Sequence, residues 1–425
     1  MSIGEVARPE VRVDITGAQT IQRIEEELSE INSLQPTRLR LPLKLESRQF
    51  GGEASLLQLL ITWARQRPNT TLETYLSARN LDDDSDVDGK LRKLVEKPFG
   101  LVALCMSRDV ADINGQLFTE EANTNVSKEL EIFFSSRRQS SQLELWGDGT
   151  DRWNEDDLPK HGQRVFLPVI DHHKNSRLPP VCFSTGEPRE RNDFVGLADR
   201  LLRRLYDNRV TSNLQSRAAP FSPALTRDLG AILHELFKNT YQWARHDTDW
   251  AVLHRSFRGI LFEIHSGRRE QLETLVDRMP QIKSFLRNSQ TSSDKLRFVE
   301  ISIVDSGPGL AARWLSEHDK WQSDLSSSEE MAACRRCLEM GRTTSFKDDR
   351  GIGLHEVVTT LSALHGFLRI RTGRLSLYRD FVQTPFNEHE DESGHLLLDW
   401  TSQSADIQPL TRVAGTLFTM LIPID

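Results

Sequence analysis

The chain has 425 residues, a formal net charge of −8 and 27% charged residues. This length suggests two or three domains, and the negative balance gives no electrostatic reason to expect nucleic-acid binding. No apolar run is long enough to cross a bilayer, and the N-terminus lacks the basic start and apolar core of a signal peptide. We therefore expect a cytoplasmic protein with no membrane or nucleic-acid partner.

Residues 1–185 are expected to form an α/β domain of unknown role, either a sensor or a partner-binding region, because predicted strands and helices alternate along them. Strands are predicted from apolar runs and alternation at 11–15, 38–43, 99–105 and 165–170. Helices are predicted at 54–65 and 118–134, with a long polar loop at 135–163. Residues 186–221 are expected to supply a connecting helix, and 222–425 a second domain.

The second domain opens with a predicted helix that begins at Ser222, whose hydroxyl precedes Pro223 at the first helical position. Apolar residues then recur at spacings of three and four to about residue 244, which indicates one buried face. Glu235 and Asn239 are four residues apart and share a face of this helix. Such a pair can hold a magnesium ion through the Asn carbonyl oxygen and orient a water through the carboxylate. Taken alone, the pair is also typical of an ordinary solvated helix face.

A β-rich apolar run at 298–304 follows, and it ends at Asp305 before a turn that contains Gly307 and Gly309. Glycines let the backbone approach a ligand closely. A carboxylate at a strand end can accept a hydrogen bond from an exocyclic amine such as that of adenine. A plain Asp-x-Gly turn after a buried strand is the alternative interpretation.

A glycine pair, Gly351 and Gly353, then opens a helix that continues with Leu354. Free N–H groups and the positive end of a helix dipole bind anions, and Lys347 and Arg350 add positive charge just upstream. Neither the Walker A pattern nor GxGxxG occurs here. The glycine pair therefore predicts a phosphate site of another kind.

The last pattern is a strand entered through Gly415 and Thr416, whose hydroxyl can reach a base or a bound water. With these four patterns in this order, the chain from Ser222 onward resembles the GHKL ATPase superfamily. That superfamily includes gyrase-type ATPase subunits, large heat-shock chaperones, histidine kinases and MutL proteins. The resemblance implies a Bergerat-type α/β sandwich at 222–425, a mixed sheet with helices on one face. The whole chain is then expected to be of the α/β (α+β) class.

The resemblance also implies a role for each motif residue. Glu235 is expected to be the catalytic general base that activates the attacking water, and Asn239 to coordinate the Mg²⁺ that bridges the phosphates of ATP. Asp305 is expected to bind the adenine amino group. The other residues expected to bind the nucleotide are Gly307, Gly309, Lys347, Arg350, Gly351, Gly353, Leu354 and Thr416.

Residues 311–350 correspond to the ATP lid of this superfamily, which orders over bound nucleotide. The gyrase and MutL branches also present a lysine to the γ-phosphate from a following domain. Here Lys347, Arg350 or a residue of a partner is expected to take that role. Trp243 occupies the position four residues after Asn239, where the chaperone and MutL branches usually have a small residue.

The resulting hypothesis is a Mg-dependent, ATP-hydrolysing molecular switch whose lid closure is relayed to a protein partner through the N-terminal domain. A homodimer formed through nucleotide-bound lids is typical of several branches. Two alternatives stay open: a histidine or serine kinase-like signalling protein, and a non-hydrolysing nucleotide sensor or scaffold in a bacterial stress or immunity system. The kinase is less favoured because no histidine lies on a long predicted dimerisation helix ahead of the ATPase region.

Two further patterns suggest metal sites but lack the residues that such sites need. Cys334 and Cys337 have zinc-knuckle spacing, yet no second pair with neighbouring histidines accompanies them, so reduced thiols are expected. Residues 171–173, Asp-His-His, resemble the motif of the DHH phosphoesterases. No suitable upstream histidine with spaced aspartates is present, so we expect a loop after a strand.

Overall fold

The computed structural model describes residues 11–424 apart from 18, 46, 48, 68, 77–88, 145–163, 172–180, 185, 208–220, 277, 290–294, 319, 323, 340–352 and 388–396. These residues form a parallel sheet, a large antiparallel sheet and the helices around them, which confirms the predicted α/β (α+β) class. Within the described part of the chain, no helix is both long and apolar enough to cross a bilayer.

The N-terminal region contains a parallel four-stranded sheet. Its strands are β1 (Arg12–Asp14), β2 (Arg38–Leu41), β3 (Thr71–Thr74) and β4 (Asp109–Ala111), paired in that order. The helices of this region are α1 (Ile21–Leu34), α2 (Gly52–Gln66), α3 (Lys90–Val95), α4 (Pro98–Met106) and α5 (Glu120–Glu144). The predicted strands at 11–15 and 38–43 and the predicted helices at 54–65 and 118–134 are confirmed.

Two predictions for this region are wrong. The strand predicted at 99–105 is part of α4, where every residue is buried. A continuous apolar run has no period that separates strand from helix, and Pro98 at the first helical position favours the helix. The loop predicted at 135–163 is helical as far as Glu144, and residues 145–163 lie outside the described residues.

The second sheet contains seven strands. They are β5 (Arg164–Ile170), β8 (Phe257–Arg268), β9 (Lys295–Asp305), β10 (Phe367–Gly373), β11 (Leu375–Asp380), β12 (Leu398–Asp399) and β13 (Val413–Pro423). Their order is β12-β11-β10-β13-β9-β8-β5, and each described pair is antiparallel. The prediction of a mixed sheet is therefore wrong in this detail. Because β5 pairs with β8, the sheet also begins before the predicted domain boundary at residue 185.

The remaining elements of the second region surround this sheet. They are the hairpin β6 (Phe183–Ser184) and β7 (Glu187–Pro188), with helices α6 (Arg191–Asp207), α7 (Pro223–Trp243), α8 (Arg269–Leu275), α9 (Pro280–Asn288), α10 (Leu310–Glu317), α11 (Ser327–Leu338) and α12 (Gly353–Ala363). Helix α6 lies within residues 186–221, where the connecting helix is expected, and it packs against α7.

Alternate side chains along each strand point to opposite faces of the seven-stranded sheet. One face, here called the helical face, carries apolar side chains such as Ile260, Ile301 and Met420, which share one core with α6, α7, α10, α11 and α12. The opposite face, here called the N-terminal face, packs against α2 in its middle and against α8 and α9 at one end. Helices therefore cover both faces, whereas the sequence predicted helices on one.

The N-terminal face differs from the helical face because polar side chains cross its middle. We call this set the polar stripe: Arg164, Glu263, His265, Glu300, Ser302, Thr419, Arg369 and Arg371. Residues of α1 and α2 pair with it, among them Glu25 with Arg371 and Glu53 with Arg164. Buried charges of this kind need partners, and here the N-terminal region supplies several of them.

Candidate functional site

Helix α7 carries the first pair of predicted site residues and starts where the sequence predicts. The Ser222 hydroxyl accepts a hydrogen bond from the Leu225 backbone N–H at 3.1 Å, and Pro223 occupies the first turn. This cap satisfies one of the free N–H groups of the helix start. The apolar stripe of α7 faces the sheet, so its polar positions point elsewhere, towards α12 and the turn after β9.

Glu235 lies against the beginning of α12. A methyl group on Gly353 would stand 2.5 Å from Glu235 Oε2, so a larger residue there would push this carboxylate away from the helix start. The other carboxylate oxygen, Oε1, lies 2.9 Å from His234 Nδ1. Burial alone would raise the pKa of Glu235. The hydrogen bond with His234, together with the charges of His234, Lys238 and Arg191, outweighs burial and holds that pKa below its ordinary value.

Asn239 lies one turn further along α7 and is half-buried. Its side-chain Nδ2 is shielded from solvent and has no hydrogen-bond partner among the described residues. A buried amide without a partner costs about 1–3 kcal/mol. This donor is therefore available to a bound group.

Asp305 ends β9 and is buried. Its Oδ1 accepts hydrogen bonds from the backbone N–H groups of Gly307 at 2.9 Å and Thr416 at 3.2 Å. Within the described residues no hydrogen bond is formed by its Oδ2, which leaves that oxygen available as an acceptor. Burial raises the pKa of Asp305 to about 6, although the two N–H groups and the charges of Arg258 and Arg313 act in the opposite direction.

The turn after β9 and the start of β13 are packed directly on each other. Gly415 has a φ of +69°, and a methyl group there would overlap the Asp305 carbonyl oxygen. Its N–H donates to the Gly307 carbonyl oxygen at 2.7 Å. A glycine is required at 415 both for its left-handed backbone and for this close approach. The glycine-rich turn and the final strand therefore form one wall.

Thr372, at the end of β10, belongs to this wall and was not predicted from the sequence. Its Oγ1 accepts a hydrogen bond from the Leu310 backbone N–H at 3.0 Å and lies 3.2 Å from Thr416 Oγ1. A methyl group on Gly309 would stand 2.8 Å from the same oxygen. The cross-strand pair Thr372–Thr416 becomes visible only when the pairing of β10 with β13 is known.

The wall at Asp305 and the start of α12 both contact α7. Gly307 packs on Ala244 at the C-terminal end of α7, since a methyl group on that glycine would lie 2.7 Å from Ala244 Cα. Gly353 packs on Glu235 in the middle of α7. These two contacts are separated by about 13 Å of helix axis, with Asn239 between them. An extended nucleoside triphosphate can bridge that distance.

A cluster of aromatic and basic side chains borders the Asp305 end of the site. Arg313 on α10 is buried, donates to the carbonyl oxygens of His246 and Asp247 at 2.7 and 2.8 Å, and lies 4.5 Å from the Trp250 ring centre. Burial lowers the pKa of Arg313. Trp243, which is half-buried, packs at 6.1 Å from the Trp250 ring. Trp243 is therefore part of this cluster.

The structure brings together Glu235, Asn239, Asp305, Gly307, Gly309, Gly353 and Thr416 around α7 and the end of the sheet. Leu354 follows in the first turn of α12 and packs partly against the core of the helical face. Lys347, Arg350 and Gly351 lie outside the described residues. The positive charge predicted for the phosphate end is thus not located.

Part of the predicted lid at 311–350 is helical. Helix α11 begins with a capping box formed by Ser326 and Glu329, and its Met331 and Leu338 belong to the core of the helical face. Cys334 on the same helix is buried, Cys337 is half-buried, and both are free thiols. The capping box, with Ser and Glu three residues apart, is a helix-start signal that is visible in the sequence.

Asp171, the first residue of the Asp-His-His pattern, forms an ion pair inside the protein. Its carboxylate accepts two hydrogen bonds from the buried guanidinium of Arg258 on β8, at 2.9 and 2.6 Å. The histidines at 172 and 173 lie outside the described residues. Asp171 therefore anchors the end of β5 to β8.

No protein-family model, curated protein or solved structure matches this chain. The assignment of function therefore depends on the site itself.

Proposed function

We propose that this chain binds ATP with Mg²⁺ between α7, the turn after β9 and the start of α12, and hydrolyses it. The observation that carries the proposal is the convergence of Glu235, Asn239, Asp305 and Gly353, which are far apart in the sequence. Each has a feature that suits a nucleotide: a carboxylate with a lowered pKa beside a helix start, an unpaired amide nitrogen, a carboxylate oxygen without a hydrogen bond among the described residues, and a glycine at the helix start.

The base end of the proposed site is the wall formed by Asp305 and Thr416. Asp305 Oδ1 is held by two backbone N–H groups, so its Oδ2 has a fixed direction in which to accept the amino group of adenine. Adenine carries this donor, and guanine presents a carbonyl oxygen at the same place. The wall therefore favours ATP over GTP because an acceptor facing an acceptor leaves both unpaired.

The phosphate end is the start of α12 beside α7. The N–H groups at a helix start and its dipole favour an anion, which suits the triphosphate. Asn239 would hold the metal through its amide oxygen, a hard ligand of the kind that Mg²⁺ prefers, and its unpaired Nδ2 would donate to a phosphate oxygen. Bound Mg²⁺ would neutralise charge that develops on the phosphate oxygens.

Glu235 is the proposed general base. Its lowered pKa keeps the carboxylate ionised near neutral pH, so it can accept a proton from water. The water oxygen then forms a bond to the γ-phosphorus, and the bond from that phosphorus to the β,γ-bridging oxygen breaks. ADP leaves with the electron pair of the broken bond. His234, hydrogen-bonded to Oε1, orients the carboxylate.

The N-terminal region is the proposed output of the switch, because its helix α2 packs on the face of the sheet behind the site. A protein partner would then respond to the nucleotide state through this region. The kinase and sensor alternatives are distinguished from this proposal by the fate of the γ-phosphate.

The test measures phosphate release by the full chain and by Glu235→Gln, with Glu270→Gln on exposed α8 as the matched control. Removal of a general base is expected to slow release by about 100- to 10,000-fold while leaving the Kd for ATP nearly unchanged. Equal turnover in Glu235→Gln and the parent chain contradicts the role of Glu235. Transfer of γ-phosphate label to protein identifies a kinase, and binding without turnover identifies a sensor.

A further inference from the structure

Helix α2 is buried on every side, and two of its polar residues, Gln58 and Thr62, contact the backbone of the sheet. All of its residues from 52 to 64 are buried, and Gln58 and Thr62 are each only 1% exposed. Buried polar side chains at these positions need specific partners. Both residues find them on the backbone of β10 and β13.

The contacted backbone lies at an irregularity in the sheet. Thr372 of β10 pairs with Thr416, but the next residue, Gly373, pairs with Val413, so Ala414 and Gly415 bulge out of the ladder. A bulge leaves backbone groups without ladder partners and re-aims the strand. This bulge gives β13 the backbone that presents Gly415 and Thr416 to Asp305.

Side chains of α2 satisfy the backbone groups that the bulge leaves free. The Ala414 N–H donates to Thr62 Oγ1 at 3.0 Å, and Thr62 in turn donates to the Gln58 carbonyl oxygen at 2.7 Å. Gln58 Nε2 donates to the Arg371 carbonyl oxygen at 3.0 Å and to that of Ala414 at 3.4 Å. The bulge is thus held by α2 on one side and by the Gly307 carbonyl oxygen on the other.

Helix α2 is also attached to the strands on both sides of the bulged strand. The Gly51 N–H, at the start of α2, donates to Glu300 Oε1 on β9 at 3.0 Å. Ser55 Oγ accepts from Arg369 Nη1 on β10 at 3.1 Å. These directional contacts tie α2 to β9 and β10 as well as to the bulge, so a shift of the bulge is transmitted to α2.

We infer that Gln58 and Thr62 are positioning residues for the nucleotide site, and that α2 is the element through which the N-terminal region senses it. This inference rests on the proposed function. The path has two steps: Thr62 fixes the Ala414 backbone, and the adjoining Gly415 and Thr416 fix the Asp305 carboxylate. When adenine binds, it shifts the Asp305 carboxylate, and the bulge transmits this displacement to α2.

The test compares Thr62→Val, which removes only the hydroxyl, with Thr62→Ser, which keeps it. Ser55→Ala is the control, since it lies on the same helix but contacts Arg369 instead of the bulge. Thr62→Val is expected to weaken ATP and ADP about tenfold each, because the altered wall binds the base common to both. Thr62→Ser and Ser55→Ala are expected to bind both nucleotides like the parent chain.

A pH profile separates positioning from a general loss of stability. Loosening the Thr416 N–H from Asp305 removes an interaction that lowers the carboxyl pKa, while Arg258 on β8 and Arg313 on α10 still face it. The pH midpoint of nucleotide affinity is therefore expected to rise in Thr62→Val. A merely destabilised protein keeps the parent midpoint.

A second measurement avoids substitutions altogether. Hydrogen exchange of the parent chain, with and without Mg·ATP, is expected to slow at the amides of α2 as well as at 414–416. If the parent chain binds ATP but α2 is unaffected, or if Thr62→Val binds both nucleotides like the parent, this inference fails and the proposed function stands. If the parent chain binds no nucleotide, the proposed function fails and this inference with it.

Discussion

The two faces of the seven-stranded sheet are built from different chemistry. The helical face is apolar across the strands, and the helices that bear the proposed nucleotide-binding residues pack on it as on an ordinary core. The N-terminal face carries the polar stripe, and directional pairs such as Glu53–Arg164 and Glu25–Arg371 join it to α1 and α2. Apolar contacts tolerate small shifts, whereas charged hydrogen-bonded pairs specify one register. The difference suggests that the helical face supplies the site and the N-terminal face transmits its state.

The largest effect is expected where the polar stripe loses a charge. Arg164 pairs with Glu263 at 2.6 Å and with Glu53 at 3.1 Å, so Arg164→Met removes the partner of the buried Glu53 and of the half-buried Glu263. Breaking one side of a buried ion pair is expected to lower the free energy of unfolding by about 3 kcal/mol. Urea unfolding measures this, and the Kd for ATP should barely change because β5 lies at the far edge of the sheet.

The matched control for that substitution lies on the opposite face. Ile301→Val on β9 removes one methyl group from the core of the helical face, and about 1 kcal/mol is expected. If Arg164→Met lowers the free energy of unfolding no more than Ile301→Val does, the polar stripe is not the specific, charge-paired interface described above.

The next effect concerns the base end of the site. Asp305→Asn keeps an oxygen for the Gly307 and Thr416 N–H groups but turns an amide donor towards the amino group of adenine. The Kd for ATP is expected to rise about 100-fold, with no loss of thermal stability because a buried charge has been removed. Asp406→Asn, at an exposed position, is the control, and unchanged affinity in Asp305→Asn removes the adenine assignment.

A smaller effect is expected from pH. Because burial raises the pKa of Asp305 to about 6, the acceptor is lost by protonation below that pH. The Kd for ATP should rise up to tenfold for each pH unit below about 6 and stay level above it. Calorimetric titrations at several pH values measure this. If the Kd for ATP depends on pH in the same way in the parent chain and in Asp305→Asn, a group other than Asp305 titrates.

The same titration acts on stability with the opposite sign. In the absence of nucleotide, the folded state binds the Asp305 proton more tightly than the unfolded state does. The free energy of unfolding therefore decreases as pH rises from about 4 to about 6, and Asp305→Asn should remove this slope.

The smallest effect is expected from His265 of the polar stripe, through the pH dependence of stability. Burial of His265 would lower its pKa, but the hydrogen bond to Glu300 and the charges of Glu263 and Glu300 outweigh burial and raise it. Its contribution to stability is then complete below the unfolded pKa, about 6.5, and is lost as pH rises through the folded value. His265→Gln should flatten the fall in unfolding free energy above about pH 6.5. If the unfolding free energy of His265→Gln falls with pH as it does in the parent chain, a group other than His265 causes the fall.

The local parts of the site were predictable from the sequence, and its tertiary parts were not. The cap at Ser222, the strand ending at Asp305 and the helix opening at Gly353 each carry their signal within a few residues. Thr372 carries none, because its role depends on pairing with a strand that follows it by some forty residues. Gln58 and Thr62 read as ordinary helix positions until the bulge in β13 is seen.

Edge strand β5 illustrates the same limit. Its apolar run predicted a strand correctly, but such a run does not indicate which sheet the strand joins. Its pairing with β8, across a long stretch of chain, is decided by tertiary contacts such as Asp171 with Arg258. The domain boundary predicted at 185 depended on that missing information.

The most direct test of the nucleotide pocket is calorimetric titration of the full chain with Mg·ATP and, in parallel, with the triphosphate of a purine riboside that lacks the 6-amino group. The account predicts saturable binding of Mg·ATP, a rise in the unfolding temperature, and much weaker binding of the analogue because Asp305 loses its donor. Absence of heat and of any thermal shift at millimolar Mg·ATP would contradict it.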